Sequence, residues 1–274
     1  MPGKNSHNAI RIERYYDQYG WIYPLIWGET IHWGLFPTGN ETLEEAAFLW
    51  TERTISLLRP CLGGRFLEVG CGPARTSQRL LERCGGRIDA LDISKYQLDR
   101  ARGTNRDSVA RGEMQLLQGD IAEAELAPAS FDGAFSEAAF FHLFKKTRSI
   151  QNIRSALRPG AAFVFDDLLI PSSGYPDGVK RAYQRFGELE LYSTGSYEQM
   201  LANAGFQLEQ RIEAAADVRT THLRLLGNLQ KIHSAATTQL NEQLYRTLSN
   251  SFEEIVLLFE RGDLDCQVFV AIAQ

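Results

Sequence analysis

Residues Phe66-Leu67-Glu68-Val69-Gly70-Cys71-Gly72-Pro73-Ala74 join a short apolar strand to a glycine turn and to a helix expected to start at Pro73. Glycines in such a turn let the backbone bend tightly and approach a ligand with no Cβ in the way. Twenty positions beyond Gly72, Asp92 ends a second apolar run. An acid at a strand tip accepts hydrogen bonds from ribose hydroxyls, so the pair points to a nucleoside cofactor. Asp89 competes for that role, but Asp92 follows Ala90-Leu91 and stands at the carboxyl end of the strand, where ligands of open α/β sheets bind.

The elements that must position these groups alternate. Apolar runs at Arg65 to Gly70, Arg87 to Ile93, Met114 to Ile121, Phe131 to Ser136 and Ala161 to Leu169 are separated by segments of helical length at Thr76 to Arg83, Lys95 to Arg102 and Lys145 to Leu157. That alternation implies an α/β fold with a mostly parallel sheet and helices on both faces. Tyr197 to Ala204 reads as a further helix, Phe206 to Glu213 as a strand, and Gln267 to Ala273 as a last strand. Between them, Leu240, Leu244, Leu248, Phe252, Val256 and Phe259 recur at helical spacing, an amphipathic core stripe. Ahead of the core, Asn8 to Trp50 is dense in Tyr and Trp, which suggests a lid or pocket wall.

Composition narrows the partners. The 274 residues are 44 % apolar, enough for a sizeable core, and the net charge of −5 gives no general attraction to nucleic-acid phosphates. No run reaches the roughly 18 apolar residues of a membrane span, and the charged first thirty residues lack the apolar stretch of a signal peptide. Cys61, Cys71, Cys84 and Cys266 form neither a CxxC pair nor a metal-cage spacing, so no metal is expected and a cytoplasmic chain with reduced thiols is. Oligomeric state is not legible, although an exposed aromatic N-terminal helix could exchange between protomers to give a homo-oligomer.

Glu68, Gly70 and Gly72, with Ala74 in place of a third glycine, resemble the first motif of the class I S-adenosylmethionine-dependent methyltransferases. The resemblance continues through Asp92-Ile93-Ser94, Gly119-Asp120-Ile121, Phe131-Asp132 and Leu157-Arg158-Pro159-Gly160. It implies a Rossmann-like seven-stranded sheet with the last strand antiparallel, plus a helical lid and cap. The organisation that follows is a lid segment over 1–50 and a cofactor-binding core over 51–170. A cap over 171–195 and 214–262 covers the substrate pocket, and 196–213 and 263–274 return to the sheet. By the same resemblance Glu68 and the backbone of Gly70, Cys71 and Gly72 hold the methionine moiety. Asp92 holds the ribose, Asp120 with Ile121 holds the adenine, and Ile93, Gln97, Gly119 and Ser136 complete the S-adenosyl-L-methionine wall.

Trp27-Gly28-Glu29-Thr30-Ile31-His32-Trp33-Gly34 is similar to the segment preceding the core in the tocopherol methyltransferase-like group, which also resembles sarcosine and dimethylglycine methyltransferases. Tyr197 to Phe206 and Arg219-Thr220-Thr221 are similar to a later segment of that group. The function implied is in-line methyl transfer to a small molecule. The aromatic lid favours an apolar, aromatic or prenylated natural product, with Tyr16, Trp27, His32, Trp33 and Phe141 as acceptor contacts. N-, O- and C-methylation stay open. His142 is the candidate base, an imidazole of ordinary pKa about 6.5 suited to proton removal near neutrality. Asp167 is expected to orient His142 or to hold an acceptor hydroxyl or ammonium, unless strand alternation turns Asp166 to the pocket instead. Glu137 is a further catalytic candidate. Two other readings compete: a nicotinamide oxidoreductase, and a protein that keeps this fold and cofactor but catalyses a non-methylating cyclisation or only binds a partner.

Overall fold

The structure is a computed structural model that describes residues 7–187, 189–235 and 240–274. Seven strands form one sheet: β1 Arg65–Val69, β2 Arg87–Asp92, β3 Met114–Gln118, β4 Phe131–Ser136, β5 Leu157–Leu169, β6 Phe206–Glu213 and β7 Asp265–Ala273. Their order is β3-β2-β1-β4-β5-β7-β6. The pairs from β3 to β5 are parallel, and β7 runs antiparallel to both β5 and β6. After β3 the chain crosses back to β4 on the other side of β1, so the direction of winding reverses between β1 and β4. Crevices at such a reversal, at the carboxyl ends of the strands, bind ligands.

Eleven α-helices are described: α1 His7–Tyr19, α2 Tyr23–Trp27, α3 Leu43–Leu58, α4 Arg75–Cys84, α5 Lys95–Thr104, α6 Arg106–Ala110, α7 Lys146–Ala156, α8 Asp177–Ala182, α9 Thr194–Asn203, α10 Ala215–Ser234 and α11 Glu242–Arg261. Local chemistry sets several of their ends. Thr42 and Glu45 form a reciprocal capping box at α3, and Ser94 and Asn241 accept from the third amides of α5 and α11. Gly262 ends α11 in the left-handed conformation.

Alternate residues of β5 feed two cores. Val164 and Leu168 join the cluster that contains the N-terminal aromatic segment, α10 and α11, whereas Phe163, Phe165 and Leu169 join the cluster under α7 and α9. Helices α8 and α10 each pack on α11, and α10 also packs on α2.

The structure corrects several boundaries. The helix after the glycine loop starts at Arg75, not Pro73, because Pro73 and Ala74 complete the turn. Strands β1, β2 and β3 end at Val69, Asp92 and Gln118, so Gly119-Asp120-Ile121 lies in the loop beyond β3. Arg158-Pro159-Gly160 is not a turn ahead of β5 but part of it: Leu157 pairs with Phe131, and the register slips before Ala162 pairs with Gly133. The 20-residue α10 is the largest element that the sequence pattern did not resolve.

Candidate functional site

The glycine loop is tied to the tip of β2. Amides of Gly70 and Cys71 donate to the carbonyl of Leu91 at 2.8 and 3.0 Å. The Gly72 amide donates to Asp92 Oδ2 at 2.8 Å, and the Ser94 amide to Oδ1 at 2.8 Å. Gly70 adopts φ +72°, and a Cβ there would lie 2.3 Å from that of Ala139, so glycine is required on two counts. Ala74, where the motif has its third glycine, also takes a left-handed φ of 55° and costs about 1 kcal/mol that glycine would not. Asn105 donates to the Pro73 carbonyl and braces the turn from below.

Above this loop opens a cavity of about 950 Å³, mouth included. One end is lined by Gly70, Gly72, Asp92, Ile93, Gln97, Gly119, Asp120 and Ile121. Asp120 accepts from the Ala122 amide at 2.9 Å. Burial raises the carboxyl of Asp120, and raises that of Asp92 to about 6 against the bonds from Ser94 and Gly72. The other end is lined by Tyr16, Tyr23, Trp27, Trp33, Phe141 and His142. A smaller cavity adjoins the loop, lined by Glu68, Cys71, His32, Arg75 and Thr76, and it shares Gly70, Gly72 and Glu137 with the larger one.

Ser136, expected in the cofactor wall, and Asp167, expected beside His142 or the acceptor, fall elsewhere. Ser136 is buried beneath the site, where its hydroxyl donates to the Val69 carbonyl at 2.8 Å. Asp167 is not joined to His142. It lies fully buried on the α7 and α9 side of β5, paired with the Lys146 ammonium and accepting from the Tyr197 hydroxyl. Asp166 is the residue turned towards the N-terminal aromatic segment: it accepts from Trp33 Nε1 at 2.8 Å and from the Ala138 amide. It anchors the aromatic wall from underneath. His32 is likewise an anchor, bonded to the Trp33 carbonyl at 2.7 Å and to Thr51 at 3.0 Å, and it faces the smaller cavity.

Residues 67–165 match the family profile of the methyltransferase domain. The chain is 25 % identical over 265 residues to (+)-O-methylkolavelool synthase of Herpetosiphon aurantiacus, covering 93 % of this chain and 94 % of that protein. It is 26 % identical over 214 residues to the O-methyltransferase resE of Aspergillus sclerotiorum, covering 77 % and 81 %. In fold it superposes on the cyclopropane synthase MmaA2 of Mycobacterium tuberculosis with a TM-score of 0.89 at 18 % identity, over 98 % of this chain and 99 % of that one. The chain carries a methyltransferase domain, and its fold is that of the S-adenosylmethionine-dependent methyltransferases. Its methyl donor is S-adenosylmethionine, and acids at strand tips beside a thin glycine wall fit a small cationic nucleoside.

The methyltransferase carries groups that the sequence did not single out. Asp17 of α1 accepts from the Ser94 hydroxyl at 2.6 Å and the Tyr96 amide at 3.0 Å, which docks the N-terminal helix over the Asp92 tip. Phe186 packs on Tyr16 and against His142, and Arg185 stacks on Phe186 at 4.3 Å. His142 Nε2 lies 2.8 Å from the Tyr16 hydroxyl, and its Nδ1 is buried without a partner among the described residues. Burial first, then the positive charges of Arg185 and Lys146, hold this imidazole well below its ordinary pKa. Burial also pushes the Tyr16 phenol up. No periodic signal marks Asp17, whose partners Ser94 and Tyr96 lie far away in sequence.

Proposed function

We propose that the enzyme methylates a hydroxyl group on a small apolar acceptor. In this reading the adenosine lies along Asp92, Ile93, Asp120 and Ile121, and the acceptor enters the aromatic chamber between Tyr16, Trp27, Trp33 and Phe141. The N-terminal segment with α8, α10 and α11 forms its cover. Bound S-adenosylmethionine supplies an electrophilic methyl group on a sulfonium. The protein aligns the acceptor oxygen behind that methyl and keeps water out, effects worth up to roughly 7 to 11 kcal/mol for well-oriented reactants.

The single observation that carries this reading is the contact between His142 and Tyr16 in the cavity wall. Tyr16 lines the chamber, and His142 can take the proton released by the acceptor hydroxyl, directly or through the Tyr16 phenol. The electrostatics favour oxygen over a cationic amine. No carboxylate bonds His142 among the described residues, and Arg185 brings a positive charge against Phe186 beside it. An oxyanion is stabilised there and an ammonium is not. Two of the proteins named above carry O-methylation in their names, which supports this reading.

The test is transfer of labelled methyl from S-adenosylmethionine to a panel of terpenoid alcohols, phenols, indoles and amines. Labelled ethers are expected. Transfer to amines alone, or none to any ligand shown to bind, counts against the proposal.

A further inference from the structure

Three carboxylates converge where the two cavities meet. Glu68, Asp92 and Glu137 come from the ends of β1 and β2 and from the residue just past β4, and no lysine or arginine lies within ion-pair distance of Asp92, Glu68 or Glu137 among the described residues. Arg75, which lines the smaller cavity, is paired with Glu29 of the N-terminal segment. Desolvation raises the Glu68 carboxyl well above its ordinary range; the Ser77 hydroxyl opposes the rise, and the neighbouring charges of Glu137 and Asp92 add to it. A cluster of like charges of this kind is stabilised by a cation that enters between them.

Glu137 is the group shaped to receive that cation. It is 7 % exposed and borders both cavities. Its Oε2 accepts from the Thr76 hydroxyl at 2.5 Å and stands 3.7 Å from His32 Nε2, which is itself bonded to Thr51. These contacts hold the carboxylate in one orientation. Its Oε1 is buried and has no hydrogen-bond partner among the described residues. A buried, oriented carboxylate oxygen without a donor is costly unless a ligand supplies one.

We propose that Glu137 Oε1 receives the α-ammonium of the cofactor's methionine moiety. The cofactor is then divided between the two cavities, its nucleoside in the larger and its amino-acid end in the smaller, with Gly70 and Gly72 as the thin wall they share. The role of Glu137 is therefore cofactor positioning, not proton transfer to or from the acceptor. Thr76 and His32 orient it, and His32 belongs to the lid segment, so the amino-acid end of the cofactor is held by core and lid together. This rests on the nucleoside position proposed above.

Calorimetry with three probes tests it: S-adenosylhomocysteine, its analogue lacking the amino group, and 5′-methylthioadenosine, which keeps the nucleoside and sulfur but has no amino-acid end. The wild type is expected to bind the desamino analogue about tenfold or more weakly than S-adenosylhomocysteine, the range of a charge-assisted hydrogen bond. Glu137→Gln is expected to lose a similar factor for S-adenosylhomocysteine and none for methylthioadenosine. Equal wild-type affinity for the amino and desamino compounds overturns the proposal, whether or not the variant folds. So does a Glu137→Gln variant that binds S-adenosylhomocysteine normally, or one that loses both probes alike. Loss of methylthioadenosine binding in Asp92→Asn is a separate result that reports on the nucleoside position alone.

Discussion

The Tyr16 hydroxyl and His142 Nε2 meet at 2.8 Å although 126 residues separate them. One comes from α1 and the other from the short 3₁₀ turn Phe140–His142 beyond β4, and Phe186 packs against both rings. If this pair removes the acceptor proton, His142→Ala lowers kcat/KM for a hydroxyl acceptor by about 10²–10⁴, and adding Tyr16→Phe costs little more. The pH profile carries the sign. Because the folded imidazole lies below 6.5, the base form prevails at neutrality and the acid limb of kcat/KM falls below that value. A limb at or above 6.5, or a normal rate in the alanine variant, removes His142 as the base.

If Asp92 holds the ribose, it links cofactor affinity to pH. Protonation through its raised pKa of about 6 then removes a ribose acceptor. Affinity for S-adenosylhomocysteine is expected to weaken as pH falls below about 6 and to level off above it. Asp92→Asn should bind more weakly and lose this dependence. Titration calorimetry across pH 5 to 8, in steps about one pKa unit wide, reads both. An unchanged affinity in the variant refutes the ribose role.

Lys146 and Asp167 separate stability from function. Both side chains are 0 % exposed and face away from the cavity. Lys146→Met leaves a buried carboxylate with only the Tyr197 hydroxyl and the Leu168 amide, and should cost about 3–5 kcal/mol in chemical denaturation. Cofactor affinity of the folded variant should match the wild type. Selective loss of catalysis without loss of stability would return Asp167 to the active site.

Gly70 and Gly72 should respond differently to alanine. Both hold a positive φ, which alone costs about 1 kcal/mol. Only at Gly70 does the added Cβ strike protein, so Gly70→Ala is expected to lower the melting temperature much more than Gly72→Ala. Around Gly72 there is no protein atom within 4 Å of such a Cβ, and the position borders both cavities. Its variant should show its defect in cofactor affinity. Equal destabilisation by the two substitutions would contradict this packing.

The sheet and the glycine-loop end of the cavity were legible in the sequence because they are built locally. Each strand carries its own apolar run, and the glycines and Asp92 stand at strand ends that the pattern of the chain already marks. Helix α10 was less legible: its buried stripe is Val218, Thr221, His222, Leu225 and Leu229, with polar side chains in the middle of the apolar spacing. The β5 pair shows the same limit at one residue's resolution. Alternation predicts that Asp166 and Asp167 face opposite ways, but nothing local says which side the lid covers. That was decided by Trp33 bonding Asp166 and by Lys146 and Tyr197 enclosing Asp167. The meeting of Tyr16 with His142, the bond from Thr76 to Glu137 and the packing of Phe186 against His142 likewise depend on contacts across more than forty residues of intervening chain. Local sequence therefore determined the sheet and the glycine loop and acids at its strand tips. Only tertiary packing decided what surrounds the acceptor, since burial and charge there come from segments with no periodic relation to one another.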